Sequence, residues 1–157
     1  MRLEYFQLID RIVDLKLADR KIATEATVPN TSTIFEGHFP GFPLMPGVLL
    51  IEAMAQTSGW LVVAVNRFER MPFLAAVKDA KFRMFVTPGH KLSVNADLVH
   101  EGSGYAITKA SILFDGKPIC DATLTLRVLE FPNAEMKLRM RDAASKVGFP
   151  AKVQTNG

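Results

Sequence analysis

Prolines at 40, 43 and 46 and glycines at 37, 41 and 47 crowd one stretch of this chain, and an apolar run follows immediately. Proline fixes φ and glycine permits positive φ, so residues 36–47 specify one irregular path that resists both helix and strand. From Val48 to about Asn66 there is no proline, and apolar residues fall on nearly every face, as in a helix buried on all sides. Pro46 stands where a helix start tolerates proline, and Gly47 allows close approach to the first unpaired N–H groups. A helix buried all round needs a layer that wraps it, and the rest of the chain must supply that layer.

The flanking sequence reads as strands. Leu3 to Ile9 suggests a short amphipathic helix, and Val13, Leu15 and Leu17 then alternate with polar residues as in a half-buried strand. A turn at Ala18-Asp19-Arg20 leads to a second strand, Lys21 to Val28, giving a hairpin. Beyond the helix, Met71-Pro72 breaks the pattern, and Phe73 to Val86 reads as a long bent strand ending at the turn Pro88-Gly89. Alternation is strict from Lys91 to Val99 and again from Cys120 to Val128, with Tyr105 to Phe114 between them and Asp115-Gly116 as a hairpin turn. Asn133 is placed to cap a helix carrying Met136, Met140, Ala143 and Val147 on one face, with Gly148 beyond its end and a frayed tail over 149–157. The expected class is α+β: an antiparallel sheet of five to seven strands wrapped around one long central helix inserted after the second strand. Residues 1–131 form that domain, and 132–157 are a C-terminal helix and tail.

Size and charge exclude several functions. A chain of 157 residues is long enough for one domain with a sizeable core. The net charge of +3 is spread without runs of like charge or interleaved aromatics, which argues against nucleic-acid binding and suits an acidic partner. The single cysteine, Cys120, can form no internal disulfide, which fits a reducing, cytoplasmic compartment. The N-terminal residues lack the apolar core of a signal peptide, and Glu52, Gln56, Thr57 and Ser58 argue that 48–65 is a core helix and not a membrane span. Three scattered histidines and one cysteine lack metal-ligand spacing, and no phosphate loop or dinucleotide fingerprint is present, so neither metal nor cofactor is expected.

What remains is acid–base chemistry at the loop and helix. His38 sits in the stiff loop, and Glu52 lies on the second turn of the apolar helix. A carboxylate there loses hydration, which favours its protonated form unless it is paired. Gln56, one turn later, shares a face with Glu52 and can orient it. A loop histidine, a buried acid and the N–H groups of Gly47 and Val48 at a helix N-terminus together supply base, acid and anion hole. Each has an ordinary structural alternative: a loop histidine held by carbonyls, or a glutamine that merely satisfies a buried carboxylate. Ser58 lies in the helix with no histidine nearby, so it is a poor nucleophile.

The stretch from His38-Phe39-Pro40-Gly41-Phe42-Pro43 through Pro46-Gly47-Val48 to Glu52-Ala53-Met54-Ala55-Gln56 closely resembles the signature of the 3-hydroxyacyl-acyl-carrier-protein dehydratases of bacterial type II fatty acid synthesis, and the resemblance extends over residues 3–130. It implies a hotdog fold, dehydration of a 3-hydroxyacyl thioester to the trans-2-enoyl product, and no cofactor. His38 stands at the family's catalytic histidine, Glu52 at its catalytic acid and Gly47 at the glycine whose N–H faces the thioester carbonyl, with Val48 beside it and Phe39, Pro43 and Gln56 in support. The implied partner is acyl carrier protein, for which Lys78, Lys81 and Arg83 are candidate docking residues. The implied assembly is a homodimer, or a trimer of dimers, with His38 of one subunit facing Glu52 of the other. Lys81-Phe82-Arg83 and Val86-Thr87-Pro88-Gly89 also resemble the family's strand after the helix. Met84-Phe85 replace its usual Arg-Pro and His90 its usual acid, departures that bear on chain length and carrier preference. With the extra C-terminal helix, they suggest a branch serving the very long acyl chains of lipid A. A hotdog thioesterase and a non-catalytic acyl-binding protein are the alternatives.

Overall fold

The computed structural model describes residues 1–154; the last part of the expected frayed tail, 155–157, lies outside the described residues. Six antiparallel strands form one sheet in the order β1-β2-β4-β5-β6-β3: β1 Arg11–Lys16, β2 Lys21–Thr27, β3 Arg70–Phe82, β4 Lys91–Gly102, β5 Tyr105–Phe114 and β6 Lys117–Glu130. Helix α1, Thr33–Gly37, and helix α2, Gly47–Val65, connect β2 to β3. Helix α3, Ala134–Lys146, and a last turn, α4, Ala151–Gln154, follow β6. The architecture is therefore the expected α+β one, a sheet wrapped around α2.

Alternation decides which strand face meets the helix. In β4, Leu92, Val94, Ala96 and Leu98 are buried, and in β6 so are Cys120, Ala122, Leu124, Leu126 and Val128. These residues enclose Ala53, Met54, Leu61, Val62 and Val63 of α2. By length and composition α2 could cross a membrane, but here it is the core helix. Two buried hydroxyl pairs fix it to the sheet: Thr57 Oγ1 lies 2.8 Å from Thr24 Oγ1 on β2, and Thr108 Oγ1 on β5 donates to Ser58 Oγ at 2.8 Å. Ser58 is thus a fully buried packing residue.

Several elements differ from the sequence reading. The N-terminal helix is only a 3₁₀ turn, Leu3–Tyr5. A bulge between Ile12 and Asp14 shifts the phase of β1, so Ile12 and Leu15 face inward while Val13 and Leu17 are exposed. Strand β3 begins before Pro72, which pairs with Val128; proline is tolerated there because β3 is an edge strand. Helix α1 was not expected; Ser32 caps it by accepting from the Ile34 N–H at 3.2 Å. Asn133 caps α3 as expected, accepting from the Met136 N–H at 2.8 Å. Phe149 is no part of a frayed tail: it is buried against Trp60 and Phe68.

Candidate active site

The loop after α1 is held by its own backbone. Phe39 and Phe42 exchange N–H···O=C bonds at 2.9 and 2.8 Å, the Leu44 N–H donates to the His38 carbonyl at 2.9 Å, and the Met45 N–H donates to Val86 at 2.7 Å. Gly41 takes φ +72° in the middle of that turn, a conformation glycine adopts freely. The side chain of His38 is fixed by the same loop: Nδ1 lies 2.9 Å from the Leu44 carbonyl oxygen. A carbonyl only accepts, so Nδ1 carries the proton and the neutral ring keeps its lone pair on Nε2. Phe39 stacks on the imidazole with centroids 4.1 Å apart. This is the arrangement a general base requires.

Pro46 is the N-cap of α2, so Gly47 and Val48 hold its first two N–H groups, which have no intrahelical acceptor. Val48 is 74% exposed. Space at Gly47 is tight: a Cβ there would come within 3.1 Å of the Phe82 ring, which would have to shift. Phe82 is thus a residue of this corner that motif reading passed over, although it sits between Lys81 and Arg83.

Glu52 is half-buried and borders a cavity of ≈640 Å³. Gln56 holds it firmly. Its Nε2 donates to Glu52 Oε1 at 3.0 Å and to the Phe6 carbonyl at 2.8 Å, and its Oε1 accepts from the Leu8 N–H at 3.0 Å. Both amide protons and the carbonyl are committed, so Gln56 orients the carboxyl group and ties the N-terminal segment to α2 at once. The Phe6 and Leu8 backbone groups carry no side-chain signal, so the sequence could not reveal them.

The remaining candidates are scattered. His38 and Pro43 do not line the cavity that holds Glu52 within this chain; Pro43 borders a shallow groove with Glu4, Ser32 and Phe35. Lys78 and Lys81 pair with Thr123 and Asp121, whose side chains face away from α2, so both lysines lie on the outer face of the sheet. Arg83 forms an ion pair with Asp121. His90 is engaged in its own turn, with Nε2 2.9 Å from Thr87 Oγ1 and its ring stacked on Phe114.

Comparison with known proteins fits this geometry. The FabA-like domain family matches residues 2–123. A 3-hydroxyacyl-[acyl-carrier-protein] dehydratase FabZ of Clostridium acetobutylicum is 34% identical over 123 residues, 78% of this chain and 86% of the relative. The FabZ of Latilactobacillus sakei is 38% identical over 119 residues, 75% of this chain and 84% of the relative. A bifunctional enzyme LpxC/FabZ of Chlorobaculum tepidum is 39% identical over 130 residues, 82% of this chain, but the chain spans only 28% of that protein's length. Among solved structures, a hypothetical thioesterase with coenzyme A from Streptococcus pneumoniae superposes with TM-score 0.61 at 18% identity, covering 78% of this chain and 88% of that one. A conserved protein of Pseudomonas aeruginosa gives TM-score 0.62 at 20% identity, covering 80% and 91%. At such identities the structural likeness speaks for the hotdog fold alone; the sequence relatives speak for the family. With the fold, the fixed His38 tautomer and the oriented Glu52 in place, the chain belongs to the FabA-like family and, within it, to the FabZ-type 3-hydroxyacyl-[acyl-carrier-protein] dehydratases.

Proposed function

We propose that this protein removes water from 3-hydroxyacyl-acyl-carrier-protein, giving the trans-2-enoyl thioester in fatty acid synthesis. The single observation that carries the chemistry is the His38 ring, with its Nδ1 proton given to Leu44 and Nε2 left basic. His38 Nε2 takes the proton from C2. The developing charge on the thioester oxygen meets the N–H of Gly47, with Val48 beside it, at the positive end of α2. Glu52, oriented by Gln56 through Oε1, gives a proton from Oε2 to the departing C3 hydroxyl. Balance is kept: the C2–H and C3–O bonds break, the C2=C3 bond forms, and one water leaves. The related thioesterase chemistry would leave the oriented His38–Glu52 pair without a task. Appearance of the conjugated enoyl absorbance when purified protein meets a 3-hydroxyacyl thioester is the test; hydrolysis to free acid instead would reject the reading.

The site is shared between two copies in this proposal. The cavity at Glu52 lacks His38 of the same chain. The outer edge of β3 supports the same reading, because it carries Phe73, Leu74, Val77 and Phe82, all more than a third exposed. Pairing two β3 edges around a two-fold axis would cover them and bring each His38 loop to the other α2. A trimer of such dimers and a cytoplasmic location belong to the same proposal. So does carrier docking at Lys78, Lys81 and Arg83: charge reversal of the two lysines should raise KM for carrier-bound substrate and spare a pantetheine-linked one, and equal losses on both would remove the lysines from docking. Service to the lipid A branch is the finest of these proposals, and the likeness to a bifunctional LpxC/FabZ enzyme fits it.

A further inference from the structure

The family match ends at residue 123, while the cavity beside Glu52 continues onto residues well past it. Along α2 the cavity follows one stripe, Glu52, Gln56, Gly59, Trp60 and Val63. These positions stand on a single helix face. Strand β3 supplies one bank of this trough, the N-terminal segment from Arg2 to Asp10 closes its end near Glu52, and the far bank is α3 and its C-cap, through Met140, Ala143, Lys146 and Val147. Ala144 and Phe149 lock α3 in place by burying themselves in the main core. The helix therefore has a fixed position against the trough and presents its apolar face to it.

We infer that α3 forms the distal wall of the acyl-chain site, so that its inward side chains set the chain-length preference of this enzyme. This rests on the dehydratase reading, which places the reacting C2 and C3 atoms at Glu52. From there the acyl chain must leave the acid end, and the apolar stripe toward Val63 is the lined path. Gly59 lies seven residues beyond Glu52, about 10 Å along the axis, and Val63 eleven residues beyond, about 16 Å. At Gly59 a Cβ would make only ordinary contact with Pro72 Cγ, 3.6 Å away, but a larger side chain would fill the path. Ala143 is the small residue on the α3 bank. A short chain ends before α3, and a long one runs against it.

On this reading a growing chain meets Gly59 before Ala143, and that order makes the inference testable. Wild-type, Gly59→Leu, Ala143→Phe and Leu138→Phe proteins are assayed for kcat/KM over a series of 3-hydroxyacyl-acyl-carrier-protein substrates of increasing length, with thermal melting and solution mass measured alongside. Leu138 is on the same helix but exposed and outside the trough, so it serves as the control. Each accommodated methylene is expected to raise kcat/KM roughly fourfold in the wild type until the wall is met. Gly59→Leu should end that rise at a shorter chain than Ala143→Phe does. Ala143→Phe should lower the ratio of longest- to shortest-chain kcat/KM by at least about tenfold, the loss of two methylenes' worth of burial. Leu138→Phe should keep the wild-type ratio. If folded Ala143→Phe keeps the wild-type ratio, or if it changes the solution mass instead of the ratio, α3 is not an acyl wall and the inference fails. If the wild type forms enoyl product at no length, the dehydratase reading itself fails, which is a separate outcome.

Discussion

The two edges of the sheet are built differently. At one edge, β1 is six residues long, is broken by a bulge, and carries Arg11, Asp14 and Lys16. Its Ile12 N–H is already taken by the Val147 carbonyl at the end of α3, 2.7 Å away. Short length, charge, a bulge and a covering segment are the ordinary ways of blunting an edge. At the other edge, β3 is thirteen residues long. Among the described residues no further strand pairs with it, and its side chains toward the helix, Leu74, Val77 and Phe82, are apolar and accessible. In the proposed dimer this open edge is where the second chain pairs, whereas β1 is already covered. The same contrast bears on α2, which reads as apolar on all sides although Val48 is open to solvent: the sheet covers most of the helix, and the proposed dimer would cover the remaining face.

The largest effect should come from removing the two groups that the β3 edge would bring together. His38→Ala or Glu52→Gln alone should lower kcat/KM by about 10²- to 10⁴-fold while the melting temperature stays near wild type. Mixing the two inactive proteins under conditions of subunit exchange should restore roughly a quarter of wild-type activity, because half the dimers are mixed and each mixed dimer holds one intact site. Proven exchange with no recovery would place both groups in one chain and leave the β3 edge without its catalytic purpose.

Next is the edge itself. Val77→Lys puts a charge on the β3 surface, and Val13→Lys puts one on β1; both valines are similarly exposed, 42% and 44%. If the comparison holds, the first substitution should produce monomers by light scattering and lose most of the activity. The second should alter stability by no more than about 0.5 kcal/mol and leave the mass unchanged. Equal behaviour of the two variants would mean that the edges do not differ in function.

The legible parts of the molecule were those where local chemistry leaves one solution. The proline–glycine loop and the apolar run after it gave the loop and α2 nearly to the residue, and strict alternation located the buried faces of β4 and β6. Asp115-Gly116, with φ of 48° and 74°, is the hairpin turn its residue types require. The misread parts depend on distant partners. The bulge in β1 follows from pairing with β2, Pro72 fits a strand only because β3 is an edge, and Phe149 is core only because Trp60 and Phe68 await it. At the site, the residue types around His38 and Glu52 announced themselves, but the Leu44 carbonyl and the Phe6 and Leu8 backbone groups that orient them have no sequence signature.

A smaller effect tests how firmly β3 is held to β6. Cys120 is fully buried opposite Phe82, at the end of β3. Burial first, and then the neighbouring Asp121, push its thiol from 9.0 up to about 11. The folded value is above the unfolded one, so the stability this group contributes is complete below pH 9 and is lost as pH rises toward 11. At pH 8 the native thiol should resist alkylation, since only the thiolate attacks. In Val77→Lys, labelling should quicken if losing the partner loosens the end of β3; an unchanged rate would show that β6 holds the strand without help.

The smallest effect belongs to the tie between the N-terminal turn and α1. Glu4 Oε1 accepts from Ser32 Oγ at 2.7 Å and from the Thr33 N–H at 3.0 Å, tying the N-terminal turn to the start of α1. The Ser32 hydroxyl, followed by backbone N–H groups, lowers the carboxyl pKa below its usual 4.5. A depressed folded value means stability that is present above the unfolded pKa and disappears as pH falls through the folded one. Because Glu4 is solvent-exposed, the gain is small and screened. Glu4→Gln should therefore lower Tm at pH 7 by no more than a few degrees, with the two melting curves converging as pH falls from 4.5 through the lowered folded value. Activity should follow stability and nothing more, since this tie is made at the start of α1 while His38 follows its end. A loss of kcat at unchanged Tm would instead mean that Glu4 helps set the His38 loop, and the separation between a finished framework and an open, catalytic edge would have to be redrawn.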